Sequence, residues 1–156
     1  MKLNNKVAIV TGGSRGIGKV IAAKFLSEGA KVVIAARNSE ELNRVVSELS
    51  VSGKNITSLK TDVSRPKDVE RLIKHATKTY GAIDILVNAA GIQNPIGPLV
   101  KTKAEDWIKN IKINLIGTML CCKYALPVMI TRKKGKIINF SGGGAISSRP
   151  NFSAYA

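Results

Sequence analysis

The apolar run Val7–Val10 passes without a spacer into Thr11-Gly12-Gly13-Ser14-Arg15-Gly16-Ile17-Gly18, and an amphipathic stretch follows. A strand that turns through glycines straight into a helix is the opening of a βαβ unit. The same alternation continues. Further apolar, β-branched runs lie at Lys31–Ala35, Ile56–Leu59, Ile83–Val87 and Lys136–Phe140. Each is nearly continuous, as strands buried on both faces are. Between them, single apolar stripes run through Ile17, Ile21, Phe25 and Leu26, then Leu42, Val45, Val46 and Leu49, then Val69, Leu72, Ile73 and Ala76. That spacing predicts amphipathic helices. A longer helix is expected from about Lys103 to Ile130, with Trp107, Ile111, Leu115 and Leu120 on its apolar side. Gly117 lowers its propensity, and Pro127 should kink or end it. Asn38 or Ser39 can cap the second helix, with Glu40 and Glu41 at its positive end, while Gly29 and Gly81 close the first and third. Crossovers of this length are right-handed. The expectation is an α/β chain with a doubly wound parallel sheet of five strands and helices on both faces.

Composition removes several classes. A chain of 156 residues, 44% apolar, is long enough to bury a sizeable core and too apolar for a disordered segment. The formal charge is +15. The basic residues are spread along the chain, with one dense run at Arg132, Lys133, Lys134 and Lys136, and only 4% of residues are aromatic. Few rings are available to stack on bases, so the charge reads as a solvated surface and as attraction for an anionic ligand; no nucleic-acid partner is expected. Cys121 and Cys122 are adjacent, which places them poorly for pairing with each other, and no metal-ligand spacing exists. No apolar run approaches the ~20 residues of a membrane span. The apolar N-terminal run stops at Thr11, short of a secretory signal. A cytoplasmic protein with no membrane partner is the expectation.

The glycine turn points to phosphate. Glycines let the backbone turn sharply and approach a pyrophosphate, and the following helix offers free amides and a positive dipole end. The usual Gly-x-Gly-x-x-Gly spacing is replaced by Gly12-x-x-x-Gly16-x-Gly18. At the end of the second strand, an NAD site usually has an acid for the ribose 2′-hydroxyl. This chain has Ala35-Ala36-Arg37-Asn38. Arg37 suits a 2′-phosphate, and Arg15 within the turn supplies a second cation. The expected cofactor is NADP(H).

Together these segments resemble the short-chain dehydrogenase/reductase family. Thr11 to Gly18 is similar to its TGxxxGxG cofactor motif, and Asn88-Ala89-Ala90-Gly91 to its NNAG motif with one change. Asp62-Val63 resembles the Asp that meets the adenine ring. Asn114 falls where the family carries a catalytic asparagine, Gly135 to Ser141 resembles the fifth strand and the start of the active-site serine region, and Tyr155 matches the tyrosine of YxxxK. The resemblance covers the whole chain. It implies a Rossmann-like fold, here truncated after the fifth strand, as a single domain over residues 1–156. It implies cofactor contacts from Thr11, Gly12, Ser14, Arg15, Gly16, Ile17, Gly18, Arg37, Asn38, Asp62, Val63, Asn88, Ala89, Ala90 and Gly91. It implies catalysis by Asn114, Ser141 and Tyr155 on a small carbonyl or alcohol substrate, no metal, and a homo-oligomer (dimer or tetramer) for the full-length protein.

Two departures bear on catalysis. The family's lysine would lie three positions past Ala156, so the 156-residue chain is expected to be an N-terminal portion without turnover of its own. An NADP-binding fragment or a truncated gene product is the alternative reading. The family's serine usually stands one position nearer the tyrosine than Ser141, where this chain has Gly142. One extra loop residue would return Ser141 to the role; otherwise the site lacks its usual serine. Elsewhere His75 is expected at the surface, Trp107, Tyr80 and Tyr124 in packing, and Asp84 on a nearby amide. Gln93, Asn94 and Pro95 follow the Ala89-Ala90-Gly91 turn at the ligand edge of the sheet, where they could line a substrate pocket or form an ordinary loop.

Overall fold

The computed structural model describes residues 1–50 and 55–156. Its centre is a parallel sheet of five strands: β1 (Val7–Thr11), β2 (Lys31–Ala36), β3 (Ile56–Lys60), β4 (Ile85–Asn88) and β5 (Lys136–Asn139), in the order β3-β2-β1-β4-β5. The inner strands are the apolar runs. Every residue of β1 and β4 is buried, whereas β3 and β5, at the edges, are only partly so. An edge strand has one unpaired side, so its side chains keep contact with solvent.

Alternate residues of the strands feed two cores. Ala8, Val10, Val32, Ile34 and Val87 face α1 (Gly16–Ser27) and α2 (Ser39–Leu49). Ile9, Val33 and Leu86 face α3 (Pro66–Tyr80) and the long helical stretch formed by α4 (Ala104–Ile111), a π-turn at Lys112–Ile116, and α5 (Gly117–Thr131). The doubly wound parallel sheet is as the periodicity dictated.

The long helix departs from its expected stripe. Trp107, Ile111 and Leu115 are four apart, yet Leu115 is 60% exposed and Ile113 is buried instead. The π-turn inserts an extra residue per turn and rotates the buried face by about one position. Beyond it the contacts run through Gly117, Leu120, Cys121, Ala125 and Met129. Pro127 neither ends the helix nor interrupts it before Thr131. Pro127 and Lys123, whose carbonyl loses its helical donor, both lie on the exposed side, where water can replace the missing bond.

Ala104–Thr131 as one helix is long and apolar enough to cross a membrane, which corrects the expectation that nothing in the chain approached that length. A core helix meets the same test, and here the stretch packs against the sheet.

Local expectations hold elsewhere. Asn38 caps α2, its Oδ1 accepting from the amides of Glu40 (2.9 Å) and Glu41 (3.2 Å). Gly81 ends α3 in the left-handed region. Tyr80 and Tyr124 pack against the core. Asp84 accepts from the Val7 amide at 2.9 Å, joining the start of β4 to β1. His75 departs from its expected surface position: it is half-buried, 3.3 Å from the Thr57 hydroxyl on β3, because its face of α3 turns toward the sheet edge.

Candidate functional site

The strand order reverses at β1, with β2 on one side and β4 on the other. In open parallel sheets the crevice for ligands opens at such a point, at the carboxyl ends of the strands. Here it is a cleft of about 550 Å³. Its walls come from the glycine turn, the ends of β2 and β3, and the segment after β4. Every expected cofactor residue lines it except Thr11 and Asn88, which stand just beneath.

Thr11 and Asn88 brace the crevice. The Thr11 hydroxyl accepts from the Ala90 amide at 3.2 Å and donates to the Val87 carbonyl at 3.4 Å. Asn88 donates from Nδ2 to Asn139 Oδ1 at 2.8 Å, linking β4 to β5 beyond the backbone ladder. Gly12 adopts φ +67°, and a Cβ there would meet the Ala89 carbonyl oxygen at 2.7 Å and the Ala90 nitrogen at 2.8 Å. The turn can therefore lie against the Ala89–Ala90 peptide only as glycine. A Cβ on Gly18 would collide with the Gly12 carbonyl, so the start of α1 presses on the same turn.

The two helices that enter the cleft differ at their N-termini. Helix α2 has the Asn38 cap and two acidic residues in its first turn. Helix α1 has neither a side-chain capping bond nor an acid in its first turn. Its leading amides and dipole end are thus uncommitted, which fits an anionic group such as a pyrophosphate. Arg15 and Arg37 are exposed on the cleft, and neither forms an ion pair among the described residues. Ile17, expected both in the α1 stripe and at the cofactor, is 64% exposed and belongs to the cleft alone.

The far wall is shaped by Asp62 and Val63. Asp62 Oδ1 accepts from the Ser64 amide (3.0 Å) and hydroxyl (2.7 Å), and its own amide donates to Asp68 Oδ2 at 3.0 Å. The Asp62 amide holds the Asp68 carboxyl below its ordinary value, with Arg71 adding to the effect.

Of the three expected catalytic residues, Asn114 bonds directly to a residue that lines the cleft, Ile92. Asn114 sits in the π-turn, and its side chain is fixed: Oδ1 accepts from the Ile92 amide at 2.9 Å, while Nδ2 donates to the Ile92 carbonyl and to Asn110 Oδ1, both at 2.8 Å. Tyr155 is half-buried, with the Arg149 guanidinium 5.2 Å from its ring centre. Gly142 faces that ring: a Cβ on it would stand 3.1 Å from Tyr155 Cε1. Ser141, the preceding residue, is exposed.

Asn110 escaped the sequence reading. It is fully buried and donates from Nδ2 to the carbonyls of Asn94 (2.7 Å) and Ile92 (3.2 Å) while accepting from Asn114. Its spacing of four from Asn114 was the available signal, since such residues share a helix face. Glu41, Ile92 and Ile113 also line the cleft without having been anticipated there. Gln93, Asn94 and Pro95 do not line it; Asn94 enters through its carbonyl.

Comparisons with known proteins bear on the family and the fold. A model of the short chain dehydrogenase family matches residues 6–156. An uncharacterized oxidoreductase of Staphylococcus aureus (strain USA300) is 39% identical over 139 residues, 89% of this chain and 59% of the relative. An uncharacterized oxidoreductase of Thermotoga maritima is 36% identical over 154 residues, 99% of this chain and 60% of the relative. The crystal structure of an NAD+-bound xylitol dehydrogenase superposes with a TM-score of 0.95 at 28% identity, covering 99% of this chain and 60% of that one. The chain thus spans about 60% of the length of the relatives it matches. By fold, by the cleft at the strand reversal and by the match along nearly its whole length, this chain belongs to the short-chain dehydrogenase family.

Proposed function

We propose that the cleft binds a nicotinamide dinucleotide, NADP(H) in preference to NAD(H), and that the complete protein oxidises an alcohol or reduces a carbonyl on a small molecule. Arg15 and Arg37, neither in an ion pair among the described residues, line a cleft whose β2 edge ends in Ala36 rather than an acid; this is the observation that carries the cofactor reading. The bound nicotinamide supplies or takes the hydride. Glycines 12, 16 and 18 with the α1 amides would hold the pyrophosphate, Asp62 and Val63 the adenine end, and Ala89 to Gly91 the floor. Tyr155 is the proposed proton carrier, since a phenol can protonate an oxygen that gains negative charge. Ser141 is the proposed donor to that oxygen, and Asn114 the proposed anchor of a proton relay. The complete protein is proposed to be a cytoplasmic homo-oligomer.

NAD(H) is the competing cofactor, favoured by the similarity to an NAD+-bound xylitol dehydrogenase. Titrating the protein with NADPH and NADH separates the two. A 2′-phosphate gripped by one or two guanidiniums should favour NADPH about ten- to a hundredfold, and Arg37→Ala should remove most of the difference. Equal affinities in the unsubstituted protein would overturn the NADP(H) reading.

A further inference from the structure

Glu41 is a carboxylate on the wall of the cleft that also carries Arg15 and Arg37. It is the third residue of α2, and its Oε2 accepts from the Ser14 hydroxyl at 2.8 Å. Ser14 is only 5% exposed, so the bond lies in the wall of the glycine turn and not out in solvent. Glu41 forms no ion pair among the described residues, with Arg15 and Arg37 included.

We propose that Glu41 is a specificity-determining residue that counteracts the two arginines, weakening the grip on a 2′-phosphate and keeping NAD(H) usable in the same cleft. This inference rests on the NADP(H) reading of the cleft. A 2′-phosphate brings about two negative charges at neutral pH, and Glu41 repels them while it also occupies the one hydroxyl donor of Ser14. A ribose bearing a free 2′-hydroxyl meets no such repulsion, and a carboxylate can accept a hydrogen bond from that hydroxyl. The same side chain therefore acts in opposite senses on the two cofactors. A purely structural strut between α2 and the glycine turn would act on both alike.

The test measures dissociation constants for NADPH and NADH with the unsubstituted protein, Glu41→Gln and Ser14→Ala. Glutamine can still accept from Ser14 but carries no charge. Glu41→Gln should raise the preference for NADPH about five- to tenfold, the size of effect expected for removing a like charge near a cleft of intermediate dielectric. Ser14→Ala removes the bond and keeps the charge, and should not reproduce that gain. Should Glu41→Gln fail to fold, Glu41→Ser carries the same expectation. A preference unmoved by either neutral variant, both cofactors weakened alike, or an equal gain from Ser14→Ala would overturn the proposal. Its failure is separable from that of the NADP(H) reading, which is decided by the unsubstituted protein and Arg37→Ala.

Discussion

The side-chain amide of Asn114 grips the Ile92 peptide from both sides, accepting from its N–H at 2.9 Å and donating to its C=O at 2.8 Å. Asn110 completes the grip by donating to the same carbonyl and to that of Asn94. The segment after β4 is thereby pinned to the π-turn of the long helix.

Replacing Asn110 tests this pinning. Asn110→Leu withdraws a buried donor from two carbonyls and should destabilise the protein by about 1–3 kcal/mol. Asn110→Asp places a carboxyl against those carbonyls at a fully buried position and should lower stability further. Urea denaturation measures both, and the ranking Leu above Asp is the outcome that identifies the donor role.

Gly117→Ala should destabilise despite alanine's better helix propensity. A Cβ at 117 would stand 2.7 Å from Val63 Cγ2 and 3.1 Å from Val63 Cβ. Overpacking of this kind costs about 1–3 kcal/mol, against about 1 kcal/mol gained in propensity. Because Val63 lines the cleft, the variant should also weaken cofactor binding, read by the same titration as above.

Acid should loosen the Asp62 segment. The Asp68 carboxyl is held below its ordinary value chiefly by the Asp62 amide. A depressed folded value means that this stabilisation is full above the ordinary aspartate range and is lost as pH falls through the folded value. The melting temperature should therefore fall as pH drops below about 4. Asp68→Asn should show a shallower decline there and a lower melting temperature at pH 7.

Asp84→Ala should expose the importance of a single link between strands. It leaves the buried Val7 amide without its acceptor, at about 1–3 kcal/mol. Asp84→Asn retains an acceptor oxygen and should recover most of the loss, as thermal melts of the two variants would show.

The sheet was legible because its signal is local: each apolar run or stripe reports its own burial. The cleft's floor was legible for a similar reason, since Gly12 and Gly18 are demanded by backbone approach and carry that demand in their identity. The π-turn was not legible. Helical periodicity predicts a constant register, and nothing in Lys112–Ile116 announces an extra residue, so Leu115 was placed on the wrong face and Asn110 went unnoticed. Glu41 was legible as a helix-dipole residue but not as a neighbour of Ser14, because that contact joins residues 27 apart. Tyr155 was found by its motif, while its pairing with Gly142 is a loop contact without periodicity.

The contrast between α1 and α2 has a consequence for how anything long could settle in the crevice. One helix arrives with its positive pole bare, the other with its pole already quenched by Asn38, Glu40 and Glu41. The two poles stand side by side, since Glu41 reaches Ser14 at the glycine turn. A guest's anionic group therefore has one bare pole to settle on, and the start of α1 dictates where along the guest its negative charge must fall.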